Sequence, residues 1–331
     1  MGRLVTIVTG GFADYSLEEM CRLARQMGYD GLELACWGNL LDPHKAATDA
    51  GYVNQVKDTL GKYGMQVYAL QGHIIGQIIG DCDDPRLDNF APPELAGKPE
   101  EMRRWATDVM LEIPTAAKNL GAKVITNFTG SPIWKWFYSF PQTTKEMIDA
   151  GFQRVYDLWA PIMAEFRRQG IKNALEVHPS EIAFDYYSTQ RILELFKDWP
   201  EFGLNFDPSH LLWQGVKPEL FLNDFIDRVY HVHMKDAKVT LDGRSGLLGS
   251  HLDFGDLRRG WDFVSLGHGD IDFDRIIRVL NAHNYQGPLS VEWEDAGMDR
   301  IFGGTEACQF VRRVDFPASD RKFDEAIASK K

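Results

Sequence analysis

Four short segments in the C-terminal half of the sequence each run through apolar residues to a side chain that can bind a metal ion. The segments are ALEVHP (174–179), LNFDPSH (204–210), YHVHMKD (230–236) and SVEWED (290–295), and the candidate ligands in them are Glu176, Asp207, His233 and Glu292. Carboxylates suit Mg²⁺ and Mn²⁺, and an imidazole brings Co²⁺ and Zn²⁺ into range. Buried carboxylates without a cation or base are costly, so the set predicts a site for one divalent cation.

Such a site supports several related reactions that begin with the same proton abstraction. A divalent cation beside a carbonyl and its neighbouring hydroxyl acts as a Lewis acid and acidifies the adjacent C–H bond. A carboxylate that removes this proton generates an enediolate. Proton return to the neighbouring carbon is an isomerisation, and proton return to the opposite face of the same carbon is an epimerisation. Expulsion of a β leaving group is a lyase reaction, and the residues alone leave these outcomes open.

The spacing of the four candidate ligands indicates how they are brought together. Asp207 follows Glu176 by 31 residues, His233 follows Asp207 by 26, and Glu292 follows His233 by 59. A (β/α)₈ barrel of about 250 residues uses roughly 31 residues for each strand and helix. The first two intervals match one such step, and the third matches one step with an insertion. Because strand ends converge on one rim of a barrel, the four side chains are expected to meet there.

Strand-like and helical patterns alternate along the chain, which favours parallel α/β architecture. The predicted strands are Leu4–Thr9, Gly31–Cys36, Gln66–Gln71, Ala122–Asn127, Ile171–Val177, Phe202–Phe206, Arg228–His233 and Pro288–Glu292. The predicted helices are Leu17–Met27, Gly51–Tyr63, Glu100–Leu120 with a kink or new start at Pro114, Thr144–Gln169, Thr189–Asp198, Lys217–Phe225 and Phe273–His283. We interpret residues 1–316 as one (β/α)₈ TIM barrel and 317–331 as a tail or peripheral helix, with a long loop over 76–99.

Two insertions follow predicted strands and are therefore expected on the catalytic rim. One comes after strand 4 (130–143) and contains an aromatic run at 130–141, and the other comes after strand 7 (237–270). The aromatic side chains could stack on rings of a substrate, or they could form a subunit interface or pack under the loop.

The amino-acid composition indicates which classes of molecule the protein is expected to bind. The chain has 331 residues, 44% of them hydrophobic, and a formal net charge of −12. This acidic balance argues against nucleic acid and anionic membranes as partners. Four cysteines without CxxC spacing, an N-terminus unlike a signal peptide and no apolar run of about 18 residues predict a cytoplasmic protein. A small-molecule substrate is expected.

The motifs together resemble those of the xylose isomerase-like TIM-barrel superfamily, in its sugar phosphate isomerase/epimerase branch. LEVHP, NFDPSH, HVHMKD, SVEWED and the element Gly267–Phe273 stand in the family's order, and the resemblance covers roughly 1–310. It implies that Glu176, Asp207, His233 and Glu292 bind the metal, with Mn²⁺ ahead of Mg²⁺, Co²⁺ or Zn²⁺. It also implies that Glu176 and Glu292 move protons, and that His210 binds substrate or metal-bound water.

Six further side chains are predicted to lie near a carbohydrate substrate. They are His178, His210, Lys235, His73, Trp37 and Glu33. His231 points to the same side of its strand as His233 but sits deeper, so we expect it to make an internal hydrogen bond rather than to bind metal.

The resemblance implies a metal-dependent sugar isomerase or epimerase that acts through an enediolate. The alternative is a lyase that cleaves 3-keto-glycosides, as a C- or O-deglycosidase, by β-elimination on the same scaffold. Some similar enzymes work with a small second subunit, and a homo-oligomer is expected here. A DNA-repair endonuclease of the same superfamily would need more histidine ligands and a basic groove, and this acidic chain lacks both. A non-catalytic metal-binding module is opposed by the intact ligand set.

Overall fold

Short, largely apolar strands form the centre of the molecule. A computed structural model describes residues 2–81, 84–320 and 324–325. The barrel strands are β1 (Val5–Val8), β2 (Gly31–Ala35), β3 (Val67–Gln71), β4 (Val124–Asn127), β5 (Lys172–Glu176), β6 (Phe202–Phe206), β7 (Val229–Met234) and β10 (Leu289–Val291). A second, antiparallel pair lies outside the barrel and consists of β8 (Asp236–Val239) and β9 (Trp261–Val264).

The eight barrel strands close into one ring of parallel neighbours in the order β1, β10, β7, β6, β5, β4, β3, β2. With helices between the strands, this is the predicted (β/α)₈ TIM barrel, and the prediction is confirmed. The register places Glu176 opposite Asn205, Asn205 opposite His231, and His233 opposite Ser290. Since side chains alternate between the two faces of a strand, these polar residues line the bore while their apolar neighbours pack outwards.

Helices cover the outside of the barrel. They are α1 (Leu17–Met27), α2 (Pro43–Thr48), α3 (Ala50–Lys62), α4 (His73–Gly80), α5 (Pro99–Leu120), α6 (Lys145–Gln169), α7 (Tyr186–Leu195), α8 (Ser209–Leu212), α9 (Pro218–Phe225), α10 (Phe273–Ala282) and α11 (Arg300–Val314). The first helix shows how local sequence sets these bounds. Ser16 and Glu19 form a capping box at its start, and Gly28 ends it with a φ of 97°.

Three expectations about helices need correction. The segment 76–99 is not a plain loop, because α4 reaches Gly80 and two 3₁₀ turns follow; the run of isoleucines in α4 packs into the core. The helix α5 continues through the buried Pro114 rather than starting again there. The helix predicted from Thr189 begins earlier, because Asp185 caps α7 in a capping box with Ser188.

The two predicted insertions lie where expected in the chain, after β4 and after β7. The first contains a 3₁₀ turn at Trp134–Trp136, and Tyr138 and Phe140 beyond it are 69% and 78% exposed. The second contains the β8–β9 pair, and its Trp261 stacks on Trp213 with ring centroids 4.3 Å apart. The second insertion therefore has a small apolar core of its own.

The end of the chain is only partly described. Residues 321–323 and 326–331 of the predicted tail lie outside the described residues, so the division after residue 316 stays a prediction. Within residues 2–81, 84–320 and 324–325, no helix combines the length and the hydrophobicity needed to cross a bilayer.

Candidate active site

The ends of four barrel strands bring the four predicted ligands together. Glu176 is the last residue of β5, His233 lies near the end of β7, and Asp207 and Glu292 directly follow β6 and β10. Each offers one donor atom, and these four atoms all lie within 4.8 Å of one another. Glu176, Asp207 and His233 are buried, while the Glu292 side chain is 25% exposed and faces the opening.

Nδ1 of His233 lies within 4.0 Å of all three carboxylates of the cluster. It lies 3.0 Å from Glu292 Oε2, 3.2 Å from Glu176 Oε2 and 4.0 Å from Asp207 Oδ2. Asn205 also reaches this point, since its Nδ2 lies 2.8 Å from Glu176 Oε2 and 3.1 Å from His233 Nδ1. Three carboxylate oxygens therefore surround one imidazole nitrogen.

The donor set fits a divalent cation. Three carboxylates and one imidazole are ligands typical of Mn²⁺, Mg²⁺ and Zn²⁺ sites. Asp207 Oδ1 accepts hydrogen bonds from the backbone N–H and the hydroxyl of Ser209, at 2.8 and 2.7 Å. Its other oxygen, Oδ2, is buried, and no group in the described part of the chain hydrogen-bonds it. A buried carboxylate oxygen without a donor is expensive, and a cation would satisfy it.

Charged neighbours and burial shift the pKa values of all four candidate ligands. Burial raises the pKa of Asp207 to about 6, and the charge of Glu176 acts in the same direction. Burial would also raise the pKa of Glu176 and Glu292, but His233 holds the first well below its ordinary value and Lys235 lowers the second to about 2. Burial lowers the pKa of His233, yet the surrounding glutamates Glu33, Glu176 and Glu292 raise it well above its ordinary value. The site is thus built to hold a positive charge at its centre.

Three further histidines lie close to Glu176. His73 Nε2 is 3.1 Å from Glu176 Oε2, and His210 Nε2 is 3.2 Å from Glu176 Oε1. The His178 ring packs edge-on against His210, with centroids 4.2 Å apart. Burial and the charge of His210 lower the pKa of His178 well below its ordinary value. The structure therefore places three of the predicted substrate-binding residues beside the ligand cluster, and their contact with substrate stays a prediction.

Lys235 lies on the other side of the cluster. Its Nζ is 2.7 Å from Glu294 Oε2 and 3.6 Å from Glu292 Oε2, and it sits 4.2 Å from the centre of the Phe263 ring. Asp236 does not pair with this lysine, because its carboxylate accepts backbone N–H groups from both ends of the second insertion. Lys235 supplies part of the positive charge that three acidic ligands require.

The two remaining predicted substrate contacts are placed differently. Glu33 is fully buried and its carboxylate contacts Nε2 of His233, and a role in substrate contact stays a prediction. The Trp37 ring lies against Gly10, so close that a Cβ there would meet Trp37 Cζ2 at 2.8 Å. Trp37 is half-buried on the rim near β1, and a role in substrate contact stays a prediction.

Sequence reasoning missed two residues of this site. Asn205 stands two residues before Asp207, and Glu294 stands two residues after Glu292. Residues two positions apart on an extended chain point to the same side. The places of Asn205 and Glu294 could therefore have been predicted from those of Asp207 and Glu292. His231 was expected to make an internal hydrogen bond, and its Nε2 lies 2.8 Å from Glu33 Oε2.

Comparison with known proteins identifies the family to which this chain belongs. Residues 21–314 match the model of the xylose isomerase-like TIM barrel family, and the chain belongs to that family. The chain is 26% identical over 314 residues to the uncharacterised protein YfiH of Bacillus subtilis (strain 168), covering 89% of this chain and 93% of YfiH. It is 37% identical over 97 residues to inosose dehydratase of Clostridium beijerinckii, covering 28% of this chain and 30% of the dehydratase.

Solved structures share the fold at low identity. The apo structure of 3-keto-D-glucoside 4-epimerase, YcjR, from E. coli has a TM-score of 0.66 and 18% identity, covering 94% of this chain and 99% of YcjR. The IolI protein with a bound zinc atom has a TM-score of 0.62 and 16% identity, covering 94% and 96% of the two chains. A Mycobacterium smegmatis xylose isomerase-like TIM barrel protein in complex with magnesium has a TM-score of 0.62 and 15% identity, covering 95% and 96%. Two of these neighbours thus contain a metal ion, zinc in one and magnesium in the other.

Proposed function

We propose that this protein is a divalent-metal-dependent sugar isomerase or epimerase that abstracts a proton next to a carbonyl. The observation that carries the proposal is the pair of carboxylates at the barrel mouth. Glu176 and Glu292 stand on strands that are separated by β6 and β7, and both reach within about 3 Å of His233 Nδ1 (3.2 and 3.0 Å). Two bases that approach one point from different strands can serve two faces of one substrate carbon.

Glu176, Asp207, His233 and Glu292 would hold the cation. When bound, the cation supplies Lewis-acid polarisation of the substrate carbonyl and of the neighbouring hydroxyl. Three of these side chains, Glu176, Asp207 and His233, are buried and form the floor of the site. One divalent cation is proposed, with Mn²⁺ favoured over Mg²⁺, Co²⁺ or Zn²⁺, because three carboxylates and one imidazole suit it.

The glutamates perform the proton transfers. One carboxylate takes the proton from the carbon beside the carbonyl, and the C–H electron pair moves onto the carbonyl carbon–oxygen unit to give an enediolate. The second glutamate must enter the turnover as the carboxylic acid. Its proton, delivered to the opposite face, inverts that carbon. Delivery of a proton to the neighbouring carbon instead, together with transfer of the hydroxyl proton to the former carbonyl oxygen, isomerises the sugar. His73, whose Nε2 lies 3.1 Å from Glu176 Oε2, orients that carboxylate. Positioned acid–base groups of this kind contribute about 10²–10⁴-fold to a rate.

An elimination is the second candidate. The specific observation in its favour is the 97-residue segment that is 37% identical to inosose dehydratase, because a dehydratase also begins by removing a proton. If a leaving group occupies the β position, the same carboxylate would initiate its loss. A 3-keto-glycoside would then release its aglycone, which is the deglycosidase form of this reaction, with or without a small second subunit.

Hydrogen exchange distinguishes these reactions. The protein is loaded with Mn²⁺ and incubated in D₂O with ketoses and with 3-keto-glycosides, the metal is then removed, and NMR records deuterium uptake and aglycone release. Deuterium beside the carbonyl with the aglycone retained supports the isomerase or epimerase. Release of the aglycone supports the lyase. If every substrate stays fully protonated and intact, proton abstraction next to a carbonyl is not the function.

We also propose that the chain assembles as a homo-oligomer through its exposed aromatic and leucine side chains. Tyr138, Phe140 and Leu257 are 69%, 78% and 100% exposed. Light scattering on the purified protein tests this, because a dimer or tetramer has a multiple of the 37.7 kDa chain mass and a monomer does not.

A further inference from the structure

One carboxylate crosses the barrel bore directly beneath the candidate metal site. Glu33, on β2, is fully buried, and its two oxygens are contacted by four side chains from three other strands. The distances are 2.5 Å from Thr126 Oγ1, 2.8 Å from His231 Nε2, 3.0 Å from His233 Nε2 to either oxygen, and 2.8 Å from Ser290 Oγ. We call this group the Glu33 network. It ties β2 to β4, β7 and β10.

His233 is shared between this network and the ligand cluster. Its Nε2 points down to Glu33, and its Nδ1 points up to Glu176 and Glu292. An imidazole that binds a metal through Nδ1 must carry its remaining proton on Nε2. Glu33 stands where it accepts that proton in a hydrogen bond, and it accepts a second from His231. The contact fixes both the ring orientation and the tautomer that exposes the Nδ1 lone pair.

A different interpretation of the same residues is that they bind a second cation. Donor atoms of Glu33, His231 and His233 lie within 4.8 Å of one another. However, both oxygens of Glu33 are already contacted by N–H or O–H groups, and Nε2 of each histidine lies at hydrogen-bond distance from them. A cation there would displace these protons and would leave the hydroxyl of Ser290 without its acceptor. The contacts therefore favour a layer of hydrogen bonds.

We propose that Glu33 is a positioning residue for the metal site: it holds the Nε2–H of His233, so that Nδ1 faces the cation, and it binds no cation itself. This inference rests on the proposed metal-dependent function. Partners of metal-bound histidines typically contribute about 10–100-fold to metal affinity. Glu33 differs from the substrate contact that its position on a strand suggested, because it acts through His233.

Glu33→Gln is the informative variant. A glutamine presents N–H groups as well as a carbonyl oxygen, and an N–H directed at His233 Nε2 would favour the tautomer with the proton on Nδ1. We expect Mn²⁺ affinity, measured by titration calorimetry or by the EPR signal of free Mn²⁺, to fall about 10–100-fold. The binding stoichiometry of the wild type should be one Mn²⁺ per chain. Thr126→Val removes a different contact of Glu33 and leaves the Glu33–His233 contact, so its loss of affinity should be much smaller.

A second measurement needs no variant of Glu33. In Zn²⁺-loaded protein with ¹⁵N-labelled histidines, His233 should show a protonated Nε2 and a metal-shifted Nδ1, and a His233→Gln sample assigns the signal. A purely structural role for Glu33 would not determine which nitrogen binds the metal. A protonated Nδ1 with the metal on Nε2 would overturn the inference even if Glu33→Gln failed to fold.

The outcomes separate this inference from the proposed function. If the wild type binds one Mn²⁺ and folded Glu33→Gln binds it equally well, the positioning role is wrong and the metal site stands. Two Mn²⁺ ions per wild-type chain, with one lost in Glu33→Gln, would show that the Glu33 network is itself a cation site. If the wild type binds no divalent cation, both the proposed function and this inference fail.

Discussion

At the scale of single residues, the site depends on how Glu176 and Glu292 divide two tasks. Both lie in the ligand cluster and both are proposed to move protons. Their surroundings differ, because Glu176 is buried among His73, His210 and Asn205, whereas Glu292 faces the opening beside Lys235. Different surroundings suit two carboxylates that must give and take protons in the same turnover.

We expect Glu176→Gln and Glu292→Gln each to lower turnover by at least about 10²-fold, measured as deuterium exchange at saturating Mn²⁺. An amide can still lie beside a cation but cannot accept the substrate proton. Glu201→Gln is a matched control, since Glu201 lies just before β6 at the opposite end of the barrel and pairs with Arg167. It should retain the wild-type rate. A near-native rate in either active-site variant would remove that residue from proton transfer.

Much of the site follows from residue type and spacing. Four residues at strand ends are sufficient to predict the cluster, because a parallel barrel brings those ends to one rim. The contact between Glu33 and His233 could not be predicted from the sequence, because a position on β2 indicates only to which side of the strand the Glu33 side chain points. The depth of Glu33 in the bore depends on how the eight strands are shifted relative to one another. That shift decides whether Glu33 reaches His233.

At the scale of elements, the loops that follow β4 and β5 are tied together by Glu181. Its Oε2 accepts the backbone N–H groups of Thr129 and Gly130, at 2.7 and 2.8 Å. The side chain is fully buried, and burial together with the nearby charge of Asp81 raises the pKa of Glu181 to about 8. The aromatic insertion begins at this contact, so Glu181 anchors one wall of the rim.

The raised pKa of Glu181 predicts a pH dependence of stability. The folded protein keeps a proton that the unfolded chain releases above its ordinary pKa of 4.5. The free energy of unfolding should therefore fall as pH rises from about 4.5 to about 8, by at most about 1.4 kcal/mol per pH unit. Burial also raises the pKa of Asp81 to about 6, and that group acts in the same direction.

Glu181→Gln tests this dependence because glutamine retains an acceptor for Thr129 and Gly130 but does not ionise. Urea unfolding midpoints between pH 5.5 and 8.5 should fall less steeply in the variant than in the wild type. Identical slopes in the two proteins would show that Glu181 is not protonated in the folded state at neutral pH.

Element bounds were predictable where caps and periodicity agreed. The capping box of Ser16 with Glu19 set the start of α1, and β6 was predicted at its observed bounds. Residues 76–80 of α4 were predicted as part of a loop because the segment 76–99 is rich in Gly, Asp and Pro, whereas the isoleucines of α4 pack into the core. The helix α11 lacks a strong apolar stripe, and its place depends on packing against β1, β10 and α1, which the sequence does not display.

At the scale of the whole molecule, the closed barrel buries polar and charged side chains from several strands in its bore. A cation that binds the folded chain alone would stabilise the entire barrel. Binding to the native state contributes about 2.7 kcal/mol when the free cation is at 100 times its Kd. Each kcal/mol raises Tm by about 2–4 °C for domains of 150–250 residues, and by less for a chain of 331 residues because its entropy of unfolding is larger.

We therefore expect excess Mn²⁺ to raise Tm by several degrees relative to protein treated with EDTA, as measured by differential scanning fluorimetry. Glu176→Gln and Asp207→Asn should reduce this gain, because each removes a ligand charge. An equal Tm with Mn²⁺ and with EDTA would argue against a cation held within the fold.

The most direct test of the account is a crystal structure of the protein grown with excess Mn²⁺ and recorded with anomalous scattering. The account predicts one strong anomalous peak per chain, bonded to oxygens of Glu176, Asp207 and Glu292 and to Nδ1 of His233 at about 2.0–2.2 Å. A map without a peak among these four side chains, or a structure that holds them apart, would contradict it.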